Sequence, residues 1–251
     1  MDDILKRNSK FKNTHEGKRC FIIGNGPSLN TQDIKPLKEE VTIVVNSFFR
    51  HPDAKIVHPK YWILADPLIW QKPEIHLSSK LKFFLEKEID VKLFVPKNGY
   101  DCFSKSNNPL LDLYYYQYDD NKTIDVPIDF STTIPPLLQN VVIVSLMLAF
   151  YLGCNPIYLI GCDHDSYIQT KEEFNTKSSK HFYENPTNYK DSDNMTWEHW
   201  SYCVGIMKLQ FEQLVKYAKN NKIDVYNSTN GGYLNYFPRM EYNLLFKEYG
   251  W

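Results

Sequence analysis

Cysteine is scarce and scattered: Cys20, Cys102, Cys154, Cys162 and Cys203 form no Cys-X-X-Cys pair and no Cys/His cluster at zinc spacing. An odd number of separated thiols reads as reduced cysteine, which points to a cytoplasmic setting. Positive charge is not in surplus either. Lys and Arg total 29 against 30 Asp and Glu, a net charge of −1, without the basic stripe that a nucleic-acid partner leaves. Long apolar runs are missing. Leu137 to Leu152 is the most apolar stretch, and it is too short for a bilayer span, so it reads as a buried helix. The opening MDDILKRNSKFKNTHEGKRC has no apolar core of the kind a secretory signal needs. With no basic amphipathic helix evident, any peripheral association with the inner face of a membrane is expected to run through a partner.

What is present fits a globular α/β protein. The chain of 251 residues is 43% hydrophobic and 24% charged, enough to bury the core of one large domain. Residues 1–17 read as a polar lead-in and 18–251 as a single nucleotide-binding domain. Short β-branched or aromatic runs recur at Arg19 to Ile23, Val41 to Val45, Tyr61 to Ala65, Lys92 to Val95, Leu110 to Tyr118, Ile157 to Ile160 and Asp224 to Tyr226. Helical spacing is expected over Glu74 to Glu88, over Leu137 to Leu152 with Gly153 closing it, and from Trp197 with Thr196 as N-cap. Asn30 is a candidate N-cap after the first strand. Strands alternating with helices predict a Rossmann-like, mostly parallel sheet covered on both faces. About 165–195 the periodicity fades, and a loop of that length inside a compact domain is expected to be a lid.

The chemistry gathers at the strand ends. The first run ends in Gly24-Asn25-Gly26-Pro27-Ser28, the second at Asn46, the third at Asp66, and Ile157 to Ile160 at Gly161-Cys162-Asp163-His164. In an open parallel sheet the ligand crevice lies beyond the carboxyl ends of the strands, so these residues are expected to converge. GNGPSL is neither GxGxxG nor a Walker A loop, yet a strand, a tight glycine turn and a helical start bring backbone N–H groups toward a phosphate. No HxH or HExxH spacing supports a metal. Of the seven histidines, His164, His181 and His199 stand where they could act. His199 falls in the first turn of a helix, whose positive end disfavours an imidazolium.

FIIGNGPSLN, Asn46, Asp66 and LGCNPIYLIGCDH, in this order, resemble the bacterial sialyltransferases of the Campylobacter type. They also resemble the broader family of flagellin motility accessory factors and archaeal 6-hydroxymethylpterin diphosphokinase-like proteins. The resemblance runs from about Lys18 to Asp165, with a further match in YNSTNGGYLNYFPR. It implies that Gly24, Asn25, Gly26 and Ser28 face a donor phosphate, that Asn46 and Asp66 line the nucleotide pocket, and that Asn140 and Asp163 lie near base or ribose. It also implies a histidine base beyond the lid, for which His199 is nearest in position and His181 sits in a matching HFY segment. The family's lid tyrosine is replaced by Asp165, with Tyr167 and Tyr183 as substitutes. The implied activity is metal-independent transfer of a sugar, with a CMP-linked acidic sugar as donor and a glycan or glycolipid as acceptor. This would be a step in building a bacterial surface glycan such as lipopolysaccharide or capsule. The alternatives are an ATP- and Mg²⁺-dependent diphosphokinase acting on a pterin-like alcohol, and a non-catalytic nucleotide-binding protein.

Overall fold

The computed structural model describes residues 3–71, 90–104, 111–135, 139–176, 181–183 and 195–249. The helix expected over Glu74 to Glu88, the Asp191-Ser192-Asp193 triplet and much of the expected lid lie outside them.

Among the described residues seven strands form one all-parallel sheet: β1 (Cys20–Ile23), β2 (Val41–Val45), β3 (Tyr61–Ile63), β4 (Val91–Pro96), β5 (Leu111–Tyr116), β6 (Ile157–Ile160) and β7 (Val225–Asn227). Their order is β5-β4-β3-β2-β1-β6-β7. The strands are almost wholly apolar because both faces are covered. Alternate side chains serve opposite faces: Cys20 and Ile22, with Ile43, Tyr61 and Ile63, join the core on one side, while Phe21, Ile23, Val44 and Trp62 join the other.

The first face carries two long helices. Val141–Tyr151 is buried along ten of its eleven residues and ends in a Schellman arrangement. There the N–H of Gly153 (φ +78°) bonds to Phe150 O at 3.0 Å and that of Cys154 to Ala149 O at 3.1 Å. Trp197–Asn220 starts at Thr196, whose hydroxyl accepts the His199 N–H at 3.2 Å, and it lays Met207, Phe211, Leu214 and Ala218 against the sheet. The second face is covered by short helical turns, by Phe182 and by Tyr242 and Phe246.

Two expectations change. The segment before Lys18 is more than a polar lead-in: Leu5 and Phe11 are buried, and Asn8, fully buried, donates to Tyr115 O and Phe130 O at 2.7 and 2.8 Å. No helix starts at Asn30, which lies inside a 3-10 turn over Pro27–Thr31; its amide instead donates to Phe182 O at 2.9 Å.

Candidate functional site

The chain leaves β1 toward β2 on one side and returns as β6 on the other, so the sheet's order reverses at β1/β6. This is the switch point at which open α/β sheets bind ligands. A crevice of about 770 Å³ opens there, with Gly24, Asn25, Gly26, Asn46, Asp66, Asn140, Asp163, His164 and His181 among its lining residues. Strand-end logic thus accounts for seven of these nine residues, while Asn140 comes from a helix start and His181 from the expected lid. Pro27, Ser28, Tyr183 and His199 do not line it.

The two glycine turns are pressed against one another. A Cβ on Gly24 would overlap the Gly161 carbonyl, and one on Gly26 would fall inside the Asp163 carboxylate. The N–H groups of Gly24 and Gly26 bond to Ile160 O and Gly161 O, both at 2.8 Å. Ser28 turns to Asp163, giving its N–H to Oδ1 at 3.1 Å and its hydroxyl to Oδ2 at 2.7 Å. The loop expected to embrace a phosphate is thus knit to the neighbouring loop, with Ser28 held away from the open crevice. Burial raises the Asp163 carboxyl above its ordinary range, and the Ser28 bonds only partly oppose this.

Asn25 and Asn46 line the crevice, and each carries a buried side-chain oxygen without a partner. The Asn25 amide nitrogen donates to Val45 O at 3.1 Å, which fixes the side chain's orientation and leaves its buried Oδ1 without a partner. Asn46, held at φ +42°, also has a buried, unpartnered Oδ1. Asn140 instead caps a helix, accepting the Val142 N–H at 2.8 Å, so a helix N-terminus points toward the crevice.

The three candidate histidines separate. His164 (φ +55°) packs against Tyr167 and Phe211 at 5.2 Å, and burial lowers its pKa to about 4. His181 lines the crevice and stacks on Tyr183 at 4.9 Å, with Tyr183 in turn under the Arg50 guanidinium. Its strap is fastened to the glycine loop, because Phe182 N–H donates to Asn25 O at 2.9 Å while Phe182 O accepts from Asn30. His199 is exposed, with Cys203 Sγ 3.5 Å from its Nε2.

Sequence reasoning left several supporting residues without roles. Gly232 (φ +74°) lies so close to Asp163 that a Cβ there would stand 2.7 Å from its Cα and its O, and Tyr233 N–H donates to Asp163 O at 2.6 Å. Thr229 accepts the Cys162 N–H at 3.0 Å. Arg239 holds this turn, bonding Thr229 O, Gly231 O, Gly232 O and Asn235 Oδ1. The Gly-Gly pair was the available signal. The crevice's charged lining comprises Asp66, Asp163, Asp165 and Glu173, with no Lys or Arg among the described lining residues. No group of three or more His, Cys, Asp or Glu among the described residues is arranged to hold a metal, and no described helix is long and apolar enough to cross a membrane.

No family model and no curated protein matches the chain. What stands is a Rossmann-like parallel sheet with a polar crevice at its switch point.

Proposed function

We propose that the chain is a glycosyltransferase that passes an acidic sugar from a CMP-linked donor to a hydroxyl of a glycan acceptor. The observation that carries this reading is a polar crevice of about 770 Å³ at the sheet's switch point, lined by Gly24, Asn25, Gly26, Asn46 and Asp66. Its polar lining suits the hydroxyl and amino edges of a nucleoside, and its volume suits a nucleotide with its sugar. Phosphate charge would be met by the N-terminal end of Val141–Tyr151, whose first residues line the crevice.

The base in this reading is His181. It reaches the crevice, whereas His199 does not line it. His164 also reaches it, but a group with a pKa near 4 is a poor proton acceptor at neutral pH. His181 would take the acceptor's hydroxyl proton as the C–O bond to the donor's anomeric carbon forms and the nucleotide phosphate departs with the electrons of the broken bond. The Phe182 strap would help keep water from the donor.

A second reading has one observation in its favour. Charged lining that consists of carboxylates would suit a Mg²⁺ ion, which would supply the charge neutralisation that transfer of a diphosphate from ATP needs. Asp66 and Asp163 would then hold the ion. Thermal-shift titration with CMP and with ATP, each with Mg²⁺ or EDTA, separates the two. Stabilisation by CMP in EDTA supports the transferase; stabilisation by ATP only with Mg²⁺ overturns it. A ligand at 100 times its Kd adds about 2.7 kcal/mol, enough to read.

A further inference from the structure

On the helix Trp197–Asn220, Trp197 and Trp200 are three residues apart and so share one side. Their rings stack at 5.1 Å with planes 24° apart. Phe174, from the short helix Lys171–Thr176, closes on both at 5.8 and 5.5 Å. All three remain partly exposed. Trp200 is also a wall of the crevice, where it is joined by Glu173 and Gln169. The aromatic surface therefore continues out of the crevice without a break. Its rim is polar in one particular way: Glu173 stands beside Phe174, and Glu198 beside Trp197 is paired with Lys171 at 3.2 Å.

We propose that Phe174, Trp197 and Trp200 form a platform for a pyranose ring, the acceptor subsite of the transferase described above. The proposal rests on that reading for its place in the reaction but not for the binding itself. An indole presents a negative face to polarised C–H groups, and one face of a pyranose consists of such groups. The edges of the same sugar carry hydroxyls, which donate to carboxylates and amides at the rim. The helix N-terminus proposed to receive the nucleotide phosphate is at Asn140 to Val142 of the crevice lining, which leaves the aromatic platform to a ring without a phosphate.

The test is intrinsic tryptophan fluorescence of the full chain, titrated with the methyl pyranosides of glucose, galactose and mannose, with glycerol as a hydroxylated control lacking a ring. Trp197→Leu keeps an apolar side chain against Phe174 and removes an aromatic face. The expected result is saturable binding of at least one pyranoside, with glycerol inert, and at least tenfold weaker binding by Trp197→Leu. Absence of saturable pyranoside binding by the wild-type chain overturns the proposal. So does unchanged affinity in a Trp197→Leu protein whose only change is a lower melting temperature. CMP binding is scored separately: pyranoside binding without CMP binding keeps the platform and removes the transferase reading.

Discussion

Ser28 gives its backbone N–H and its hydroxyl to the two oxygens of one carboxylate, that of Asp163, 135 positions further along the chain. The pair locks the end of β1 to the end of β6 beside the crevice. It also places a buried carboxylate where its ionised form is held by two hydrogen bonds yet still disfavoured by burial.

Asp163→Ala is expected to cost about 1–3 kcal/mol, because it leaves the Ser28 donors without acceptors. Asp163→Asn should keep both contacts, with Oδ1 accepting the N–H and the amide donating to the hydroxyl. The folded-state pKa of Asp163 is raised above the unfolded value, so its contribution to stability is present below the ordinary value of 3.8 and lost as pH rises through the raised one. Asparagine abolishes that loss. Urea unfolding across a pH series should give a flatter profile for Asp163→Asn than for the wild type above pH 3.8.

His164 runs the other way. Its pKa is lowered from 6.5 to about 4 by burial, so its contribution is present above 6.5 and lost as pH falls from there toward 4. His164→Gln should weaken the acid sensitivity in that window. Side-chain NMR of the wild type should find this imidazole neutral at pH 5, and an ordinary titration near 6.5 would contradict the packing described.

Two glycines should respond oppositely to alanine. At Gly26 the methyl would enter the Asp163 carboxylate, and destabilisation of about 1–3 kcal/mol is expected. Gly205 lies within the helix Trp197–Asn220, and a Cβ there meets nothing within 4 Å. Gly205→Ala should therefore stabilise by roughly 1 kcal/mol. Denaturant midpoints of the two variants check both signs.

For the proposed transfer, His181→Ala should lower turnover by about 10²–10⁴-fold while the thermal shift with CMP persists. His199→Ala should leave turnover within a few-fold of the wild type. The reverse order would move the base to the helix Trp197–Asn220.

The sheet was legible because its strands are apolar runs broken by polar residues at the carboxyl ends. For the same reason Gly24, Asn46, Asp66 and Asp163 could be grouped before any coordinates. The helix Trp197–Asn220 announced itself through Thr196 and its i, i+3, i+4 apolar spacing. Less was readable where a residue's partner is distant in sequence. Nothing near Ser28 shows that its hydroxyl belongs to Asp163, and nothing near Arg239 shows that it clamps the turn touching Asp163. The N-terminal segment misled because Leu5, Asn8 and Phe11 are dispersed among charged residues that face solvent. Trp200 was visible only as one apolar position in a helix, since its place on the crevice wall depends on how that helix crosses the sheet.

The position of β1 between β2 and β6 has a consequence for synthesis. Cys20 pairs with Val41 on one side and with Ile157 on the other, so a nascent chain can assemble β1 through β5 as a strip long before β6 leaves the ribosome. During that interval β1 is an open, wholly apolar edge, the kind of surface that recruits strands from neighbouring chains. The half-made protein is more prone to aggregate than the finished one, and its yield in cells should depend on whether a chaperone shields that edge until Ile157–Ile160 arrives.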